Sequence, residues 1–78
     1  MNRQFGISLF TSSLISNADE GYIGLELTKT ERAESKPAAR ILFWDACGQF
    51  VLETLGTDVP LEIIEDLIAE AKSKIKVR

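Results

Sequence analysis

Histidine is absent from this 78-residue sequence, and cysteine occurs once, at Cys47. Without imidazole there is no Ser-His-Asp or Cys-His arrangement, and the usual proton carrier near neutral pH is missing. One thiol cannot close a disulfide within the chain, nor build a zinc site unaided. Long apolar runs are missing too: the longest span only a few residues, far short of the ~20 that cross a bilayer as a helix. Met1 to Phe5 shows neither the charged start nor the apolar run of a secretory signal. A reduced cytoplasmic compartment is therefore the expected location, with no membrane insertion.

Excess positive charge is also lacking. Nine Lys and Arg face twelve Asp and Glu, a net of −3. That balance opposes phosphate backbones, which reward clustered cations with counterion release, so nucleic acid is an unlikely partner. Nor are phosphate-binding loops present. Gly21-Tyr22-Ile23-Gly24 has no third glycine and leads into a strand, whereas nucleotide fingerprints lead into a helix. The Asp-x-Asp-x-Asp-Gly spacing of a calcium loop never occurs. Glu62, Glu65, Asp66 and Glu70 share helical spacing, but a solvated acidic face explains them without a ligand. Cys47 has acidic and apolar neighbours and no basic one in sequence, so nothing there activates the thiol. No catalytic residue, cofactor or metal ligand is expected.

What is present is an α+β pattern. Phe5, Ile7 and Leu9 alternate with Gln4, Gly6 and Ser8, the period of a half-buried strand, although Phe10 interrupts it. Thr11 to Glu20, rich in Ser, Asn, Asp and Glu, reads as a loop. Tyr22 to Thr28 reads as a strand with Ile23, Leu25 and Leu27 on one side. Lys29 to Ala38 holds alternating charges, Ser35 and Pro37, so residues 29–38 are expected to be a flexible hairpin connection with little to bury. Ala39 to Ala46 is the strongest strand signal. A turn at Asp45 to Gln49 containing Gly48 follows, and Gln49 to Leu55 returns as an antiparallel strand.

Asp58 offers a cap and Pro60 a first-turn residue for a closing helix. Its apolar positions, Leu61, Ile64, Leu67, Ile68, Ala71 and Ile75, form one stripe over roughly sixteen residues. Glu62, Glu65 and Asp66 come early and Lys72, Lys74 and Lys76 late, which suits the helix dipole, and Glu70 with Lys74 makes an i,i+4 pair. The expectation is one domain, 1–78, with an antiparallel sheet of three to four strands in β-β-β-β-α order and the amphipathic helix on one face.

That architecture leaves apolar surface over. One helix covers one side of a sheet, yet Ile41-Leu42-Phe43-Trp44 places large groups on both. If Ile41 and Phe43 meet the helix, Leu42 and Trp44 point away, and apolar groups gathered in water mark contact surfaces. The amino-terminal residues Phe5, Phe10, Leu14 and Ile15 could fold over that side; a second copy or another protein could do so instead. Tryptophan and tyrosine favour interfaces. Phe10, Tyr22, Leu42 and Trp44 are accordingly the candidate contact residues of a small non-catalytic adaptor, subunit or regulator, protein-binding or self-associating. Two alternatives stand beside it. One is an oligomeric accessory or enzyme-like protein with a ligand site between chains, built from Tyr22, Glu26, Trp44 and Cys47. The other is a weak single-stranded nucleic-acid binder stacking bases on the sheet aromatics.

Overall fold

The computed structural model describes residues 1–75. Five antiparallel strands form one meander in the order β1 (Asn2–Phe5), β2 (Ser8–Asn17), β3 (Tyr22–Glu31), β4 (Glu34–Trp44) and β5 (Gln49–Thr54), followed by α1 (Leu61–Lys74). The α+β class and the single carboxy-terminal helix agree with the sequence reading. The strand count of five does not.

The extra strand comes from the amino-terminal third. Gly6, at φ +60°, opens a two-residue turn with Ile7, the place where hairpin loops of this length use glycine. The expected strand through Leu9 is thereby split, and Thr11–Asn17 is strand where a loop was expected, because Leu9–Asn17 pairs with β3; only residues 18–21 turn. The hairpin at residues 29–38 departs equally from expectation. Instead of a flexible connection, β3 and β4 pair to Glu31 and Glu34 around a two-residue turn. Arg32 and Ala33 both hold positive φ there, 50° and 67°. Backbone pairing supplies the order that side-chain burial does not.

Helix α1 lies across β3 and β4 and buries Ile63, Leu67, Ala71 and Ile75. The buried stripe is therefore rotated from the expected one. Ile64 packs at the core margin, Ile68 is exposed, and Leu61 is 77% exposed at the first turn. Asp58 does not cap the helix. Pro60 occupies the cap position with no side-chain bond, and its carbonyl accepts from the Ile63 and Ile64 amides. Glu70 and Lys74 form the expected i,i+4 pair at 2.7 Å. Lys76, assigned to the last turn by the sequence, lies outside the described residues.

Beneath the helix sit Phe10, Leu25, Leu27, Ala38, Ala39, Ile41 and Phe43. Ala38 and Ala39 are both buried because the register shifts between Leu27 and Thr28, which places two β4 residues where one would fit. Residues 1–17 extend the sheet sideways as β1 and β2 and add no layer to it. Among the described residues the face opposite α1 carries no second element.

Candidate functional site

Side chains alternate across a strand, so the pairing register assigns each residue to a face. Four rows cross the face opposite the helix. Asn17, Tyr22, Trp44 and Gln49 form the first, and Ile15, Gly24, Leu42 and Val51 the second. Ser13, Glu26, Arg40 and Glu53 form the third; Thr11 and Thr28 continue beyond it. Aromatic, apolar and charged rows thus lie side by side.

The aromatic row is a direct contact. Tyr22 and Trp44 pack edge to face with ring centroids 5.1 Å apart, and both rings are partly exposed. Behind them Leu42 is only 4% exposed although no element covers this face. Gly24 is the reason. A Cβ there would overlap the Ile41 carbonyl oxygen and press within 3.0 Å of Leu42 Cδ2. The missing side chain leaves a trough into which Leu42 folds, level with the backbone.

The charged row is internally paired. Arg40 donates from Nε to the Glu26 carboxylate at 3.1 Å and pairs through Nη1 with Glu53 at 3.4 Å. One cation between two carboxylates leaves the row acidic overall.

The four expected contact residues separate here. Tyr22 and Trp44 meet on the open face, and Leu42 lies between them and the charged row. Phe10 belongs elsewhere: it is 1% exposed, on the helix side, in the centre of the core. The Gly6 turn reverses which residues of this segment point inward, so Phe10 packs in the core and does not join the other three on the open face. Cys47 is exposed at the β4–β5 hairpin tip, its Sγ 4.0 Å from the Trp44 carbonyl oxygen, and Glu26 is already committed to Arg40. The set Tyr22, Glu26, Trp44 and Cys47 therefore encloses no cavity within one chain.

Two further features escaped the sequence. Glu70 accepts hydrogen bonds from Ser12 at 2.6 Å and from the Met1 amine at 3.2 Å, besides its pair with Lys74. Partial burial works to raise its pKa, but the bonds from Lys74, Ser12 and the amine outweigh that and hold it at about 2. Glu31 is lowered in the same sense by the Ser8 hydroxyl, at 2.6 Å, and by Lys29. Both carboxylates tie β2 to its neighbours across the chain, and Glu31 also lines an open cleft with Lys29, Lys36 and Thr57. The second feature is an apolar groove of about 160 Å³ between β5 and α1, lined by Ile41, Phe50, Leu52, Ile68 and Ala71. No group of three or more acidic or cysteine side chains is placed to hold a metal ion among the described residues, and no described helix is long and apolar enough to cross a membrane.

Comparison of the chain with protein-family models, with curated proteins and with solved structures returned no match.

Proposed function

We propose that this chain is a small non-catalytic interaction or assembly domain that works through the open sheet face carrying Tyr22, Leu42 and Trp44. One observation carries the reading: the amino-terminal residues widen the sheet instead of covering it, so the aromatic pair stays in water. Partly exposed Trp and Tyr beside an apolar row, bounded by a compensated charge row, is the composition of an interface centre with a polar rim. The nucleic-acid alternative loses its support, because Arg40 is shared between two carboxylates and the two rings pack on each other rather than standing apart to stack bases.

The test compares wild type with Trp44→Ser and with Tyr22→Ala. Both positions lie outside the buried core, so each variant is expected to keep the wild-type circular dichroism spectrum. Affinity capture from the native extract should lose its bound protein with either variant. Equal capture by wild type and both folded variants would remove the face from consideration.

A further inference from the structure

The two edges of the sheet are unlike. β1 is four residues long, and Arg3 in its middle is tied to Asp66 and Glu62 of the helix. Its side chains at Asn2 and Gln4 are polar, and the Gln4 amide donates to the Gly6 carbonyl. Short, polar edges of this kind resist pairing with another strand. β5 has six residues, no proline, no lysine, and three consecutive apolar side chains, Phe50-Val51-Leu52. Val51 is 43% and Leu52 44% exposed, and the groove beside Ile68 runs along the same edge.

The phase of the edge is fixed. The Leu55 amide donates to the Ala38 carbonyl at 3.1 Å, in line with the register Ala39↔Thr54 through Trp44↔Gln49. In an antiparallel ladder alternate residues turn their backbone groups to the same neighbour. Gln49, Val51 and Glu53 therefore bond to β4, while Phe50, Leu52 and Thr54 present their N–H and C=O groups outward.

From this we infer that β5 pairs antiparallel with β5 of a second copy about a two-fold axis at Val51. The inference deepens the assembly reading above, rests on it, and names the partner. Pairing on this axis sets Phe50 against Leu52 of the second copy and Leu52 against its Phe50, so outward backbone groups meet outward backbone groups. Val51 meets Val51, and Gln49 meets Glu53, an amide donor opposite a carboxylate. No side chain is mismatched. Neighbouring registers are worse: a step toward the amino end sets polar Gln49 against Val51 twice and Leu52 against Gly48, a step toward the carboxy end sets Val51 against Glu53 twice, and two steps set Glu53 against Glu53, a like-charge pair that destabilises a ladder. The sequence of the edge thus selects the axis. Across it the row Ile15–Gly24–Leu42–Val51 continues into the same row reversed, so the open face doubles in width. On the other side, Phe50 and Leu52 of each copy close the groove beside Ile68 of the other. Two six-residue edges are small beside standard interfaces of about 1,200–2,000 Å², so the dimer is concentration-dependent, not permanent.

Sedimentation of the full chain from about 10 µM to about 1 mM reads the association directly. Amide exchange by NMR over the same range locates it. Phe50 and Leu52 amides should gain protection with concentration, whereas Val51 and Glu53 amides should already be protected at the lowest concentration. Val51→Glu and Val51→Lys each set like charges on the axis at a solvent-facing position, and each should weaken the dimer by about tenfold or more. Mixed together, the two variants should restore it. A wild type monomeric at about 1 mM overturns the pairing. So does an association that survives Val51→Glu, or one that protects Tyr22 and Trp44 instead of the Phe50 and Leu52 amides. In each of those cases the capture comparison with Trp44→Ser still decides the face itself.

Discussion

The two faces of the sheet solve the same problem by different means. Under α1, Leu25, Leu27, Ile63 and Leu67 are fully buried because a second layer seals them. On the open face Leu42 reaches almost the same burial with nothing above it, through the missing Cβ of Gly24 and the flanking Ile15 and Val51. Close packing needs atoms on every side, but those atoms can come from within one layer if the backbone makes room. The open face keeps Tyr22 and Trp44 partly in contact with water.

The sealed face is the easier to break. Leu67→Ala removes a fully buried side chain from the centre of the helix contact, and should cost about 2–5 kcal/mol in urea unfolding because the cavity collapses only partly. A chain of this size has only about 3–5 kcal/mol of net stability to lose, so the variant should be largely unfolded at 37 °C. Gly24→Ala asks the same question of the open face. The new methyl meets the Ile41 backbone carbonyl, which the ladder holds in place, and only secondarily the movable Leu42 side chain. A loss of about 2–3 kcal/mol is expected, large for a single methyl because the strand itself must shift. A neutral result would mean that the trough is not what buries Leu42.

Glu70 joins the sealed face to β2, and pH reads its contribution. Its folded pKa of about 2 lies below the ordinary 4.5, so the unfolded chain binds the proton first as pH falls. The stability it supplies is fully present above about 4.5 and drains away as pH drops through about 2. Glu70→Gln should cost about 1–2 kcal/mol at neutral pH, since Ser12 and Lys74 lose a charged acceptor. The same substitution should flatten the acid limb of the stability curve between those two values. An unchanged acid limb would show that the carboxylate is not held as described.

The faces also explain what was legible in the sequence. Tyr22–Thr28 and Ala39–Ala46 are legible because the core selects apolar side chains along β3 and β4, and Gln49–Leu55 is legible from the short turn at Gly48 that returns the chain beside β4. β2 is not, since Ser12, Ser13 and Ser16 look like a loop until Ser12 is seen to serve Glu70 under the helix. Phe10 departs from its expected face for a related reason. Alternation counted through Gly6 and Ile7 places Leu9 inward, but a two-residue turn ends one strand and begins another, and the count restarts. The buried helix stripe lies about one position from the expected one, because Leu61 and Ile68 fit the spacing yet face solvent. Where tertiary contact decides which of two adequate faces is buried, periodicity alone cannot choose. The edge of β5 was invisible at that level, as no sequence pattern says which strand lacks a neighbour.

The smallest expected effect lies where neither face is covered, at the tip joining β3 to β4. Arg32 and Ala33 sit in the left-handed region, and hairpins of this length ordinarily place glycine or asparagine there. Each such residue costs about 1–2 kcal/mol in that conformation, whereas glycine adds only about 0.5–1 kcal/mol of chain entropy. Ala33→Gly should therefore stabilise by about 0.5–1 kcal/mol, despite removing a methyl and touching no core residue. Ala46→Gly in the β4–β5 loop is the control, because Ala46 does not hold a positive φ and gains nothing from the exchange. Stabilisation at Ala33 with a slight loss at Ala46 would show that local backbone geometry, not side-chain cover, governs the tip. Equal losses at both would instead place the tip outside the left-handed region in solution and return the hairpin to the mobile segment its charges suggest.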